Sequence, residues 1–293
     1  MKILVFDVGG TSIKYGICTD NQLADVKETP TNAKLGGRHI METLISLIQE
    51  QTDYDAIGIS TAGQVNSKEG YIIYANQNIP EYTGTRIQEE LETLFHVPVT
   101  VENDVNAAAM GEAIYGAGKD FSQFLMLTYG TGVGGATVND KTVYYGSSYS
   151  ASEFGAIITH SDARLLGNDY FDGCYEKYAS TTGLVKMAME YNPELNSGRK
   201  IFENLEDPKV QNILDKWVDE IMLGLATLTH IYNPPCIILG GGIMVQPLIM
   251  EKIEAKKSRF IMPSFAHVKF IPAALGNSAG LLGANYLASK KLQ

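Results

Sequence analysis

Twice along the chain an apolar run stops at a glycine-rich turn and then resumes. Ile3-Leu4-Val5-Phe6 leads into Asp7-Val8-Gly9-Gly10-Thr11, after which residues 12–18 read as a second strand. Phe124-Leu125-Met126-Leu127-Thr128 leads into Tyr129-Gly130-Thr131-Gly132-Val133-Gly134-Gly135, and Ala136 to Val138 starts a return strand. Strands that are apolar throughout are buried on both faces, which requires layers on either side of a sheet. No helix follows the first turn closely, so it is neither a Walker loop nor a dinucleotide fingerprint. Around these turns the periodicity predicts strands at 55–60, 97–101 and 237–239, with helices at 39–51, 84–95 and 105–115. The strand at 237–239 closes on Gly240-Gly241-Gly242, and a helix begins near Gln246-Pro247. The second half also carries a helical insertion over about 165–230, including the amphipathic run Val210 to Tyr232. Alternating strands and helices give an α/β fold in two copies of one plan. The break between them is expected at Gly116-Ala117-Gly118-Lys119-Asp120.

Composition excludes several classes. Lys and Arg number 23 against 33 Asp and Glu, a formal net charge of -10, which argues against nucleic acid as a partner. The cysteines, Cys18, Cys174 and Cys236, are odd in number and widely spread, as in a reducing compartment. Neither they nor His39, His96, His160, His230 and His267 have the spacing of a metal site. No stretch is long and apolar enough for a membrane span. A soluble, cytoplasmic protein is expected.

Glycines in such turns let backbone N–H groups approach an anion without Cβ interference, and a neighbouring threonine adds a hydroxyl donor. A tight hairpin would explain one such turn equally well. A pair, one per half, is the arrangement that holds a polyphosphate in a cleft between equivalent domains. Asp104 stands just after a buried-looking strand and just before a helix, at the strand edge where open α/β sheets bind ligands. It reads either as a helix N-cap or as the carboxylate that takes a proton from an acceptor hydroxyl. Asn103 beside it is able to donate and accept on the same ligand.

Four segments together resemble the ROK family: Asp7-Val8-Gly9-Gly10-Thr11, Glu102-Asn103-Asp104-Val105-Asn106-Ala107-Ala108-Ala109, Thr131-Gly132-Val133-Gly134-Gly135 and Gly240-Gly241-Gly242-Ile243. That family comprises bacterial sugar kinases and repressors on the actin-like, ribonuclease-H-like ATPase fold, and the segments occur in its order over nearly the whole chain. The resemblance implies two similar domains with a ligand cleft between them, here 1–118 plus 275–293 and 119–274. It also implies use of ATP and Mg²⁺. Asp104 would be the general base on a sugar 6-hydroxyl, and Asp7 would lie near Mg²⁺ and the phosphates. Gly9, Gly10 and Thr11 would form one phosphate turn and Thr131 and Gly132 the other, with Gly240, Gly241 and Gly242 against the adenosine. Asn103, Glu153 and Glu176 match positions that grip sugar hydroxyls, and Gly63 and Asn78 would line the same pocket. The helix after Gly276-Asn277-Ser278-Ala279-Gly280 would return to the first domain.

Two departures bear on substrate choice. Many members carry a histidine three residues after the sugar-binding Glu and a CxCGxxGC zinc loop beside it. Here Ala156 takes the histidine place, and Gly167-Asn168-Asp169-Tyr170-Phe171-Asp172-Gly173-Cys174 replaces the loop, so no zinc is expected. Cys174 is expected as a small buried residue. Losing an imidazole near the anomeric carbon opens space there, which points to a β-glucoside substrate, with glucose and N-acetylmannosamine as alternatives. A repressor would need a DNA-reading module ahead of Asp7, for which no room is expected. A sugar-binding protein that has lost catalysis is disfavoured by the intact Asp7, Asp104 and both turns. Homodimers are common among relatives, and one is expected here. Trp217 is expected in the core and His160 on the surface or in a loop. Tyr144, Tyr145 and Tyr149 read either as a sugar platform or as a strand surface, and Lys14 as facing either phosphate or solvent.

Overall fold

A computed structural model describes residues 1–293. The opening segment forms β1 (Lys2–Val8), β2 (Ser12–Thr19) and β3 (Gln22–Pro30), followed by α1 (Gly37–Gln49) and β4 (Ala56–Thr61). A small hairpin, β5 (Gln64–Asn66) and β6 (Tyr71–Tyr74), precedes α2 (Ile87–Phe95), β7 (Val99–Asn103) and α3 (Asp104–Tyr115). These strands make a sheet in the order β3-β2-β1-β4-β7, antiparallel at the β1–β2–β3 meander and parallel from β1 to β7. The alternation of β1 sorts its side chains onto two cores. Leu4, Phe6 and Val8 pack with Ile40, Leu44 and Ile48 of α1 and Leu91 of α2, while Ile3 and Val5 face the opposite way.

The plan then repeats with β8 (Gln123–Tyr129), β9 (Val133–Asn139) and β10 (Thr142–Val143). The expected helical insertion resolves into α4 (Ser161–Leu166), α5 (Tyr175–Ala179), α6 (Thr181–Tyr191), α7 (Gly198–Glu203) and the 25-residue α8 (Pro208–Tyr232). Then come β11 (Cys236–Gly240), α9 (Pro247–Phe260), β12 (Lys269–Pro272) and α10 (Ala279–Lys291). The second sheet has the order β10-β9-β8-β11-β12, with β11 parallel to both β8 and β12. It therefore reproduces the first: a glycine-turn hairpin beside parallel strands. Helix α8 starts on an Asp207 cap with Pro208 behind it, and buries Leu214, Trp217, Ile221 and Leu225 in the second core. The Trp217 indole N–H reaches the Ser180 carbonyl at 3.1 Å, so this tryptophan is a core residue.

By contact density the chain divides into two compact units. The first holds Met1–Asp120, Val138–Ala151 and Asn277–Gln293, and the second holds Phe121–Thr137 and Ser152–Gly276. Helix α10 thus belongs with the first unit, where Leu281 and Ala288 cover Ile3, Val5 and Ala56. It lies against α3 and β4 with almost no side chain between the backbones. A Cβ at Gly58 would stand 2.5 Å from the Ala284 carbonyl oxygen, and one at Gly283 would strike the Ala107 carbonyl. No helix is long and apolar enough to cross a membrane.

Several expected boundaries move. The helix expected at 39–51 runs from Gly37 to Gln49, and the strand expected at 97–101 runs from Val99 to Asn103. Strand β9 begins at Val133, so Gly134 and Gly135 lie on a strand and the second turn is confined to Gly130–Gly132.

The seam between α3 and α10 generates a test. Gly283→Val is expected to lower unfolding free energy by at least about 2 kcal/mol, because the obstruction is backbone that repacking does not remove. Urea denaturation followed by circular dichroism measures it.

Candidate active site

In the first unit, strand register collects the chemistry at the carboxyl end of β1. Asp7 pairs with Lys14 on β2 and with Ser60 on β4. The Ser60 hydroxyl donates to Asp7 Oδ1 at 2.6 Å. Burial lifts the Asp7 carboxyl above its ordinary value, against the Ser60 hydrogen bond and the Lys14 charge. Lys14 is therefore a neighbour of Asp7 rather than a residue given over to solvent. The first turn of α10 closes in as well, since a Cβ at Gly280 would lie 3.0 Å from both Asp7 Oδ1 and Ser60 Oγ.

The adjoining turn is held from behind. Thr31 donates its hydroxyl to the Gly9 carbonyl at 2.6 Å and its N–H to the Thr11 carbonyl at 3.0 Å. Gly10 and Thr11 are exposed, and a Cβ on Gly10 would meet nothing within 4 Å. Neither packing nor a positive φ demands glycine there. What the missing side chain leaves is open room over the backbone, as an anion cradle requires.

Strand β7 passes directly into α3, which settles how Asn103 and Asp104 share the helix start. Asn103 is the cap: its Oδ1 accepts from the N–H groups of Val105 at 3.0 Å and Asn106 at 3.1 Å. Asp104 is the first helical residue and not the cap. Its Oδ1 accepts from the Val105 N–H and from Asn103 Nδ2, both at 2.9 Å. The same Asn103 Nδ2 donates to the Gly63 carbonyl at 2.9 Å, and Gly63 sits at φ 98°, where glycine is the favoured residue. Burial first, and then the negative charge of Asp7, push the Asp104 carboxyl up to about 7. Asn78 stands apart, exposed in a loop where its N–H bonds the Asn76 side chain at 3.0 Å.

Residues given no role from the sequence alone support this corner. Glu102 is buried, and its carboxylate accepts from the Asn103 N–H at 2.8 Å, Asn106 Nδ2 at 3.1 Å and the Tyr145 hydroxyl at 2.8 Å. Burial raises its carboxyl against these bonds. A Glu directly after the buried Val99 and Val101 of its strand was the available signal for Glu102. For Ser60 it was a hydroxyl at the end of the strand next to β1.

In the second unit, β8 ends at the Gly130–Gly132 turn, closed by a Gly130 N–H to Gly132 carbonyl bond of 3.0 Å. Helix α6 clasps it from Thr181, whose N–H donates to the Gly130 carbonyl at 3.0 Å. Thr131 is exposed, but Gly132 is covered by Glu176: a Cβ there would stand 2.6 Å from Glu176 Oε2, and the Val133 N–H reaches that oxygen at 3.4 Å. Burial raises the Glu176 carboxyl, with a further push from the charge of Glu153, so these two acids converge. Ala156, like Glu153, is exposed.

Beside this turn lies a cavity of about 860 Å³, bounded by Thr131, Thr182, Val185, Asn196, Phe202 and Gly242 among others. A Cβ at Gly242 would again meet nothing within 4 Å. Gly240 and Gly241 take no part in the lining. Gly240 ends β11 under Met126 and Thr128, and Gly241 backs onto the Tyr129 main chain at φ 104°.

The loop over 167–174 is tied by protein groups. The Asp169 N–H reaches Asp172 Oδ2 at 3.0 Å, Lys177 pairs with Asp169 at 3.3 Å, and the buried Cys174 thiol points at the Ala156 carbonyl 3.4 Å away. His160, expected on the surface or in a loop, lies in the loop before α4, half-buried and stacked on Tyr178 with ring centroids 3.7 Å apart. No cluster of three or more His, Cys, Asp or Glu side chains is placed to hold a metal ion.

The model for the family described as "ROK family" matches residues 3–291. The chain belongs to the ROK family. Like other ROK proteins it has the actin-like ATPase fold. A β-glucoside kinase of Listeria innocua is 30% identical over 294 residues, covering 98% of this chain and 97% of that protein. A ROK family glucokinase from Streptomyces griseus, solved in complex with glucose and AMPPNP, superposes with a TM-score of 0.85 at 28% identity, covering 99% of this chain and all of that one. A Listeria monocytogenes protein described as a candidate N-acetylmannosamine kinase gives a TM-score of 0.90 at 28% identity, with both chains covered completely.

The raised Asp104 carboxyl carries a stability consequence for this ROK chain. The folded state keeps a proton on Asp104 up to about 7, which the unfolded chain releases near its ordinary value of 3.8. Stability therefore falls as pH rises between those values. Asp104→Asn is expected to raise the unfolding midpoint at pH 8, with the gain shrinking as pH falls through about 7 toward 4. Thermal unfolding of both proteins across that range measures the difference.

Proposed function

We propose that this ATP-dependent sugar kinase transfers the γ-phosphoryl group of ATP to the 6-hydroxyl of the glucose unit of a β-glucoside, with Asp104 as general base. The observation that carries the reading is the Asp104 carboxyl, held at the head of α3 with its proton affinity pushed up to about 7. A base matched to neutral pH removes the hydroxyl proton in the transition state, and above about pH 7 it is mostly ionised before reaction. Its hydrogen bonds fall on Oδ1, so Oδ2 is the oxygen that takes the proton. Asn103, fixed by Gly63 and by its capping bonds, orients the sugar, and Glu153 and Glu176 bind further hydroxyls.

The bare glycines fit a nucleotide. The open space above Gly10 and Gly242 suits phosphate and adenosine respectively, and the 860 Å³ cavity has the size of a cofactor site. Asp7, a hard oxygen donor steadied by Ser60, is the residue that would lie beside Mg²⁺. The ion, when bound, supplies neutralisation of phosphate charge. The protein's own part is positioning, with backbone N–H groups of the turns directed at the phosphates.

The β-glucoside choice is supported by Ala156, whose methyl group offers no hydrogen bond where many ROK proteins have histidine, and by the full-length similarity to a named β-glucoside kinase. ADP release measured with cellobiose, glucose and N-acetylmannosamine tests it. Cellobiose is expected to give the highest kcat/KM, and a strong preference for either monosaccharide overturns this substrate. Asp104→Asn is expected to lower kcat by at least ~10²-fold while sugar affinity survives. Wild-type kcat/KM is expected to fall tenfold per pH unit below about 7. Gly10→Val is expected to raise KM for ATP and leave the fold intact, since its side chain has open space to enter. Unchanged ATP affinity would remove this turn from the nucleotide site.

A further inference from the structure

The segment from Tyr144 to Ala151 is not used by the chemistry above, yet it is fastened to the wall around Asn103. Its ends are drawn together by the Ala151 N–H on the Tyr145 carbonyl at 3.3 Å. On one side the Tyr145 hydroxyl donates to Glu102, the carboxylate that also receives the Asn103 N–H. On the other, the Ser150 hydroxyl donates to Gln64 Oε1 at 3.0 Å, one residue from the Gly63 carbonyl that holds the Asn103 side chain. The loop therefore brackets the residue that orients the sugar.

Between these two tethers the loop presents aromatic surface. The Tyr145 and Tyr149 rings lie 5.6 Å apart at 48°, and both residues keep part of their surface in solvent. Tyr149 has φ 59°, a left-handed conformation that a bulky side chain adopts only at a cost of about 1–3 kcal/mol. Glycine or asparagine would adopt this conformation at lower cost. With the Tyr145 hydroxyl committed to Glu102, its ring is fixed, and Tyr149 packs on a rigid support.

We infer that the Tyr145–Tyr149 pair is an aglycone platform, binding the second sugar of a β-linked disaccharide whose glucose unit lies at Asn103 and Asp104. This rests on the β-glucoside reading above. Equatorial hydroxyls leave the two faces of a β-linked glucose unit as C–H surface, which complements the electron-rich face of a tyrosine ring. A methyl aglycone is too small to cover such a pair.

The test compares kcat/KM for cellobiose with that for methyl β-glucoside in the wild type, Tyr149→Asn and Tyr149→Phe. Asn tolerates the left-handed backbone and Phe keeps the ring. The cellobiose-to-methyl-glucoside ratio is expected to fall about tenfold in Tyr149→Asn, through KM for cellobiose, and to return to within twofold of wild type in Tyr149→Phe. If the wild type uses cellobiose and the Asn variant keeps its ratio, including by losing both activities in parallel, the platform is overturned and the substrate reading stands. A wild type inert toward both glucosides overturns the substrate reading and the platform with it.

Discussion

A carboxyl group that water hydrates poorly, placed within range of a second carboxyl, is the constraint around which the first unit is organised. Burial and the Asp7 charge both disfavour ionisation of Asp104. Left alone, they would make the folded state expensive or the group permanently neutral. The surrounding structure sets a limit on that shift. The Val105 N–H and Asn103 Nδ2 stabilise the anion from one side, while Ser60 and Lys14 moderate the neighbouring Asp7. The outcome is an acid poised near neutrality, where an ordinary aspartate would be too weak a base. Glu102 works one layer further out, holding the Asn103 main chain so that the cap and the carboxyl keep their orientation.

How far this was legible in the sequence depended on whether a residue's partners are local. The apolar run of β1, its glycine turn and the strand-to-helix junction at Asp104 are local patterns, and they placed the acid correctly at a helix start. Which residue caps that helix was not legible, because Asn and Asp are equally suited and the decision rests on the Gly63 carbonyl 40 residues away. Strand β3 escaped notice for another reason: its residues are mostly exposed and polar, so no alternation marks it. Glu102 was read as part of a motif and not as a hub, since its Tyr145 partner lies 43 positions downstream. His160 lies in a loop, as expected, but its stack on Tyr178 was not legible, because that contact exists only once α4 and α5 are formed.

The two sheets share one strand order, yet their glycine turns are built differently. Gly10 stands over open space, whereas Gly132 is pressed by Glu176. The place held by Asp7 on β1, next to the last residue of the strand, is held on β8 by Thr128. The acidic strand end belongs to one copy alone, and the large cavity belongs to the other. A repeated frame thus carries a pair of carboxyls raised by burial in one half and a cavity of about 860 Å³ in the other.

The seam in which Gly283 lies against the Ala107 carbonyl has a consequence for biosynthesis. Ile3, Val5 and Ala56 emerge from the ribosome early, but the helix that covers them ends at residue 291. At roughly 5–20 residues per second, this apolar sheet face stays uncovered for about 10 s or longer. During that interval helix α3, which begins at Asp104, lacks the helix it packs against, and that packing forms only after residues 279–291 have been translated. The nascent chain therefore carries an apolar sheet face whose covering waits on the docking of a single short helix.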